Sequence, residues 1–134
     1  MTVVPSPADN LATVLAVTRD SDPYARRAAV LTAYAESDFR SSAVQDGLEG
    51  GQSLGVFQQK PQYYPGVGTA TDAQCRAFLS RFAGIRRTGD LVVDCWQVQR
   101  WYPSDRFDPL SPETINYTRR VIDVDNIIAK RRLP

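Results

Sequence analysis

The chain has 134 residues, of which 43% are hydrophobic, and its formal net charge is +1. This length predicts a single domain over residues 1–134, and a charge near zero gives no electrostatic footprint for nucleic acid or an anionic membrane. The chain contains no histidine, which excludes Ser-His-Asp and Cys-His catalysis and leaves zinc without its usual nitrogen ligand. Any chemistry must therefore use carboxylates, hydroxyls, amides or tyrosine, and we expect neither a metal nor a cofactor.

The beginning of the sequence gives no sign of export. The segment from Met1 to Asp9 lacks a basic start followed by an apolar run, which a signal peptide requires. No run of about 18 apolar residues occurs anywhere in the chain, so no segment is predicted to span a membrane. We expect no signal peptide and no membrane insertion.

Four short motifs predict where helices begin. Each places a serine, threonine or aspartate, which can cap a helix, before a proline or three residues before a glutamine. In chain order they are Ser6-Pro7, Asp22-Pro23, Thr71-Asp72-Ala73-Gln74 and Ser111-Pro112-Glu113. The second helix is alanine-rich and is predicted to end near Ala35. In the third, Thr71 and Gln74 are expected to satisfy each other's exposed amides.

The remaining segments complete the prediction of a mainly α fold. A helix is predicted from Gly89 to Trp101. The last helix is predicted to be long because apolar residues recur on one face, namely Tyr117, Val121, Val124 and Ile128. Residues 39–52 and 60–70 are rich in glycine or proline and read as loops. We therefore predict five to six helices with a glycine-rich loop or small β-excursion near residues 39–58.

Two cysteines lie on the apolar sides of predicted helices. Cys75 lies on the same apolar stripe as Phe78, Leu79 and Phe82. Cys95 lies on the apolar side of the next predicted helix. They either form a disulfide or are two small buried hydrophobes. The sequence leaves both alternatives open because it does not supply the Cβ geometry that a disulfide needs.

Glu36 is the first candidate for chemistry. It ends the alanine-rich helix, directly after Ala35 and three residues before Phe39. A carboxyl group buried among such residues has a raised pKa, so it can stay protonated near neutral pH and donate a proton. The alternative is an ordinary solvated carboxylate at the end of a helix.

A second polar segment begins seventeen residues after Glu36. Ser53-Leu54-Gly55-Val56-Phe57-Gln58-Gln59 alternates small and apolar residues with hydroxyl and amide groups. Neutral hydrogen-bonding side chains suit a carbohydrate groove, because they match sugar hydroxyl and acetamido groups. Ser53, Gln58 and Gln59 are therefore candidate substrate-binding residues, and the alternative is a short core strand followed by a polar turn.

These elements together resemble the soluble lytic transglycosylases and goose-type lysozymes. In that family a catalytic Glu-Ser precedes a motif of glycine, two apolar residues and glutamine, which Glu36-Ser37 and Gly55-Val56-Phe57-Gln58 match. The double glutamine followed by Lys60-Pro61 is similar to lysozyme-like domains of actinobacteria and their phages. Glu113-Thr114-Ile115-Asn116-Tyr117 resembles a third family motif, whose tyrosine hydroxyl lies near the catalytic glutamate.

One family motif is missing. The transglycosylases carry an Ala-Tyr-Asn-x-Gly sequence before the last helix, whereas this chain has Trp96-Gln97-Val98-Gln99-Arg100-Trp101 in that neighbourhood. A tryptophan there can stack on a sugar ring, but we expect Trp96 to fill the core.

The resemblance implies a lysozyme-like fold and cleavage of the β-1,4 bond between N-acetylmuramic acid and N-acetylglucosamine. Glu36 would be the general acid, with Tyr117 helping to hold the substrate site. An inverting hydrolase also needs a second carboxylate, for which Asp46 and, as the weaker candidate, Glu49 are available. A lytic transglycosylase needs none, and it yields a 1,6-anhydro product.

The same resemblance implies the biological setting. The partner would be the glycan strands of peptidoglycan, and we expect a monomer. The protein would be an endolysin made in the cytoplasm of a phage-infected host, or a domain of a larger wall-acting or virion protein. The alternative is a non-catalytic lysozyme-like domain that binds glycan or has a structural role in a phage particle.

Overall fold

A computed structural model describes residues 4–45, 51–100 and 104–134. Two short antiparallel strands, β1 (Val44–Gln45) and β2 (Ser53–Leu54), pair with Val44 opposite Leu54. The predicted mainly α fold, with a small β-excursion between residues 39 and 58, is confirmed. The helices of the described residues are α1 (Pro7–Val17), α2 (Pro23–Ser37), α3 (Thr71–Ala83), α4 (Leu91–Gln99), α5 (Pro112–Arg120) and α6 (Val124–Lys130).

Helix α2 lies at the centre and packs against each of the other five described helices. Its inward side is made largely of small residues, and Ala28, Ala29 and Ala33 are fully buried. Small side chains let neighbouring helices approach closely, since the distance between helix axes depends on the residues at the contact. The packing around α2 therefore fixes the position of the residues at its C-terminal end.

Three of the four predicted helix starts are confirmed. Ser6, Asp22 and Ser111 each accept a hydrogen bond, through the side chain, from the backbone N–H three residues later. Each is followed by a proline in the first turn, where the missing N–H costs no helical hydrogen bond. These local signals operate as the sequence predicts because both partners lie within four residues of each other.

The predicted capping box at the start of α3 is wrong. Ala70 is the N-cap, and no side chain caps this helix. The Thr71 hydroxyl instead donates to Asn10 Oδ1 at 2.7 Å, and Gln74 is fully buried against the segment that follows β2. Both polar side chains therefore bond to partners elsewhere in the fold and do not cap the helix.

The last two helices also differ from the prediction. Helix α4 begins at Leu91, with Asp90 as its cap, and ends at Gln99; Trp101 lies outside the described residues. The predicted long final helix is two helices, because a 3-10 turn over Val121–Asp123 separates α5 from α6. No described helix is long and apolar enough to cross a membrane.

Both cysteines are free and buried. Burial raises the pKa of the Cys75 and Cys95 thiols to about 12, so neither is an activated nucleophile near neutral pH. Of the two alternatives that the sequence leaves open, the structure has the buried thiols, which pack as small core residues.

Gln74 holds the segment after β2 against α3. Its Oε1 accepts from Phe57 N at 3.0 Å, and its Nε2 donates to the Leu54 and Gly68 carbonyls at 2.9 and 3.1 Å. Gly55 makes this approach possible, because a Cβ there would lie 2.7 Å from the Gln74 amide and its φ is +78°. The glycine of the family-like motif therefore has a packing reason.

Asn10 links three separate parts of the chain. Its Nδ2 donates to Phe39 O at 2.8 Å and to Ser41 Oγ at 2.6 Å, and its Oδ1 accepts from Thr71. Asn10 is 1% exposed, so its partners have little access to water as a replacement. It joins α1 and α3 to the loop that follows α2.

We expect Asn10→Ala to lower the free energy of unfolding by about 3 kcal/mol, because it leaves a buried carbonyl and a buried hydroxyl without their partner. Urea denaturation measures this change. Asn126→Ala, at an exposed position on α6, is the matched control and should change stability by less than about 0.5 kcal/mol. Equal effects of the two substitutions would contradict a structural role for Asn10.

Candidate functional site

Glu36 lies in the last turn of α2 and borders two cavities. The first is small and is formed between α2, α4 and α5, with Trp96, Gln99, Glu113 and Tyr117 in its walls. The second is an open cleft on the side of the β-strands, lined by Glu36, Arg40, Ser42, Ala43, Val44 and Gln58. The cleft has a volume of about 410 Å³, within the usual range for ligand sites.

The Glu36 carboxyl group has a proton affinity suited to neutral pH. Its pKa is raised from the ordinary 4.5 to about 7. Burial is the main cause of this rise, the hydrogen bond from Tyr117 acts against it, and the charge of Glu113 adds to it. The Tyr117 hydroxyl donates to Glu36 Oε1 at 2.7 Å, so the closeness of these groups that the resemblance implies is observed. A carboxyl group with this pKa can both donate and accept a proton near neutrality.

Helix α5 secures the end of α2 through side chains on adjoining turns. Asn116 Nδ2 donates to Ala35 O at 2.8 Å, and Arg120 Nε donates to Asn116 Oδ1 at 2.8 Å. Arg120 also donates to Tyr34 O at 3.3 Å and forms an ion pair with Asp38. These contacts hold the backbone on both sides of Glu36, which restricts the position of its carboxyl group.

The chain leaves α2 through two left-handed residues. Asp38 and Phe39 have φ values of +53° and +62°, a conformation that costs about 1–2 kcal/mol for each non-glycine residue. The Arg120 ion pair holds Asp38, while Phe39 is fully buried and its carbonyl accepts from Asn10. Backbone strain of this kind is concentrated at functional sites, where the surrounding structure maintains it.

Ser37 connects the end of α2 to the polar segment after β2. Its Oγ lies 2.7 Å from Val56 O and 3.1 Å from Ala33 O, and its single hydroxyl hydrogen donates to the nearer carbonyl. Ser37 is 2% exposed, so its place beside Glu36 is structural. The Glu-Ser pair therefore joins the acid to the loop that forms the cleft.

The three residues predicted to bind substrate in that segment lie in different environments. Gln58, with φ at +49°, lines the open cleft, and its Nε2 donates to the Ala43 and Gly55 carbonyls at 2.9 Å. Gln59 is 4% exposed and its Nε2 donates to Gln74 O. Ser53 lies half-buried in β2. Of the three, only Gln58 lines a cavity that Glu36 borders.

The carboxylates near Glu36 differ from those that the sequence singled out. Asp46 and Glu49, the predicted candidates for a second carboxylate, lie outside the described residues. Glu113 is exposed at the start of α5 and lines the small cavity together with Glu36. The sequence contained a signal for this placement of Glu113. It lies four residues before Tyr117, and residues four apart share a helix face.

Trp96 is not the core residue that the sequence predicted. It is half-buried in the wall of the small cavity, with its ring edge-on to Phe107 at 5.6 Å between ring centroids. The indole therefore forms part of the surface beside Glu36.

Comparison with known proteins does not assign a function to this site, and the described residues do not form a metal site. No family model, curated protein or solved structure matches the chain. Within residues 4–45, 51–100 and 104–134, no group of three or more Cys, Asp or Glu is placed to hold a metal ion.

Replacing Tyr117 with phenylalanine should raise the pKa of Glu36, because the substitution removes the hydrogen bond that lowers it and keeps the burial that raises it. Carbon-13 NMR of labelled glutamate side chains measures this directly, since the chain contains only Glu36, Glu49 and Glu113. Tyr34→Phe is the control, because Tyr34 donates to Asp123 instead. An unchanged or lower Glu36 pKa in the Tyr117 variant would contradict the assignment.

Proposed function

We propose that this protein cleaves the glycan strands of peptidoglycan between N-acetylmuramic acid and N-acetylglucosamine, and that its helices form a lysozyme-like fold. The observation that supports this most strongly is Glu36 itself. Its pKa is about 7, its carboxyl group accepts from Tyr117, and it borders an open cleft. A protonated acid beside a cleft with polar walls is what cleavage of a glycosidic bond requires.

Glu36 acts first as the general acid. It gives its proton to the glycosidic oxygen while the bond from that oxygen to the anomeric carbon of N-acetylmuramic acid breaks. The leaving sugar departs with a new hydroxyl group, and the remaining sugar takes up positive charge. The Tyr117 hydroxyl stabilises the carboxylate left on Glu36, because a hydrogen bond to the charged form favours it.

Glu36 then acts as the base. It removes a proton either from a water molecule that attacks the anomeric carbon, which gives hydrolysis, or from the 6-hydroxyl of the same sugar, which gives the 1,6-anhydro product. Both outcomes return Glu36 to its protonated form. Gln58, which lines the cleft, lies on the side where the glycan would bind.

A non-catalytic glycan-binding or structural domain is the competing function. Such a domain needs no carboxyl group with a raised pKa. Keeping one destabilises the folded protein near neutral pH, because the unfolded chain ionises the same group more easily. Glu36 is therefore better explained by catalysis than by binding alone.

Digestion of purified peptidoglycan, with product analysis by mass spectrometry, tests the proposal. Products with reducing N-acetylmuramic acid ends would establish a hydrolase, and 1,6-anhydro ends would establish a lytic transglycosylase. Actinobacterial peptidoglycan is the first substrate to use, given the resemblance of the Gln58-Gln59-Lys60-Pro61 segment. No soluble product from any peptidoglycan would contradict the proposal and favour the non-catalytic domain.

A further inference from the structure

A third cavity adjoins the two that Glu36 borders. It shares Gln58 with the open cleft and Gln99 with the small cavity. Besides these glutamines its wall contains cationic and aromatic residues, namely Lys60, Tyr63, Tyr64, Arg81 and Arg100. We refer to it as the cationic cavity, and its shared walls make it an extension of the groove beside Glu36.

The described lining of the cationic cavity carries positive charge and no carboxylate. Arg81 and Arg100 are both exposed. Within the described part of the chain, no ion pair joins either guanidinium to an acidic side chain. The two arginines are therefore able to pair with an anion that enters the groove.

Both guanidinium groups are held over aromatic rings. Arg81 lies 3.8 Å from the centroid of Tyr64, and Arg100 lies 5.7 Å from the centroid of Trp96. Stacking fixes the plane of a guanidinium and leaves its N–H groups at the edge of the ring contact. Arg81 donates from one terminal nitrogen to Tyr63 O, and its other N–H groups can bind a planar anion. A guanidinium edge can donate two parallel hydrogen bonds to a carboxylate, which adds both strength and geometric specificity to the pair.

We propose that the cationic cavity is a subsite for a carboxylate carried by the glycan substrate, an inference that takes the substrate class from the proposed function. N-acetylmuramic acid bears a lactyl group, and N-acetylglucosamine does not. The carboxylate is either the free lactyl group or, where a peptide is attached through that group, an acidic residue of the peptide. Arg81 and Arg100 bind it and thereby set the register of the strand in the groove.

Binding to the Glu36→Gln variant separates this subsite from catalysis. Isothermal titration would use three tetrasaccharides: alternating N-acetylglucosamine and N-acetylmuramic acid without peptide, the same strand with peptides, and chitotetraose, which has no carboxylate. We expect at least one carboxylate-bearing strand to bind about tenfold more tightly than chitotetraose, the usual scale for a charge-assisted pair. The tighter of the two identifies the source of the carboxylate.

Substituting each arginine in the Glu36→Gln variant tests whether that arginine causes the preference for carboxylate-bearing strands. Arg100→Gln and Arg81→Gln should each reduce it several-fold, with chitotetraose binding unchanged. Arg119→Gln, exposed on α5, is the control. Since Arg81 also donates to Tyr63 O, Arg100→Gln keeps the test valid if the Arg81 variant misfolds. Equal binding of all three tetrasaccharides, or equal weakening of all three by Arg100→Gln, would overturn the subsite.

The outcomes for the two proposals are separable. A wild-type protein that cleaves no glycan, but whose Glu36→Gln variant shows the arginine-dependent preference, would overturn the proposed reaction and support the subsite. Cleavage of peptidoglycan without any preference for carboxylate-bearing strands would support the reaction and overturn the subsite.

Discussion

Glu36→Gln is expected to lower the rate of peptidoglycan cleavage about a thousandfold, the scale of a lost general acid. Glutamine has the size of glutamate, and its amide oxygen can still accept the Tyr117 hydrogen bond. It has no acidic proton to give to the glycosidic oxygen. Release of soluble fragments from dye-labelled peptidoglycan measures the rate.

Asp20→Asn is the matched control for this loss. It also removes one carboxylate, but Asp20 is exposed in the middle of the α1–α2 connection. Among the residues that the structure describes, its ion pair is with its neighbour Arg19. We expect it to keep full activity. A Glu36→Gln variant that retained a tenth or more of the wild-type rate would show that another group supplies the proton.

The same substitution should stabilise the folded protein at neutral and alkaline pH. Glu36 has an ordinary pKa of 4.5, and in the folded state its pKa is about 7. Between these values the folded protein binds more protons than the unfolded chain, so its stability falls as the pH rises. The total loss is about 3 kcal/mol for this shift, and Glu36→Gln does not incur it.

Urea denaturation over a pH series measures this effect without any substrate. The gain in the free energy of unfolding should be small near pH 4.5, grow up to about pH 7 and then level off. Asp20→Asn should show no such growth. A gain that was constant with pH, or that shrank as the pH rose, would mean that folding does not raise the pKa of Glu36.

Local signals predicted the elements that carry the site. The caps at Ser6, Asp22 and Ser111 depend on residues three positions apart, so the sequence contains both partners of each interaction. The position of Glu36 at the end of an alanine-rich helix also indicated burial, because small apolar residues mark the side of a helix that packs. The raised pKa of its carboxyl group follows from that burial.

Tertiary partners explain what the sequence did not predict. Thr71 and Gln74 have the types and spacing of a capping box, yet Asn10 and the segment after β2 offer them better partners from 61 and about 17 positions away. Gln58 and Gln59 are adjacent in sequence, but of the two only Gln58 lines a cavity that Glu36 borders. Neither outcome can be read from neighbouring residues.

The groove around Glu36 depends even more on long-range contacts. Asn116 and Arg120 hold the end of α2 from 81 and 86 positions away. Their own spacing of four residues was visible in the sequence, but nothing local showed what that helix face would contact. Glu113 and Trp96 became part of the site for the same reason, since α4 and α5 meet only in the folded protein.

The most direct test of the role of Glu36 compares two measurements on the same protein. One is the pH dependence of cleavage, and the other is the NMR titration of the Glu36 carboxyl group. A general acid works only while protonated, so kcat/KM should fall as the pH rises through about 7, and the pKa of that fall should match the one measured for the Glu36 carboxyl group. A Glu36 that titrates near 4.5 while cleavage stays constant up to alkaline pH would contradict its assignment as the catalytic acid.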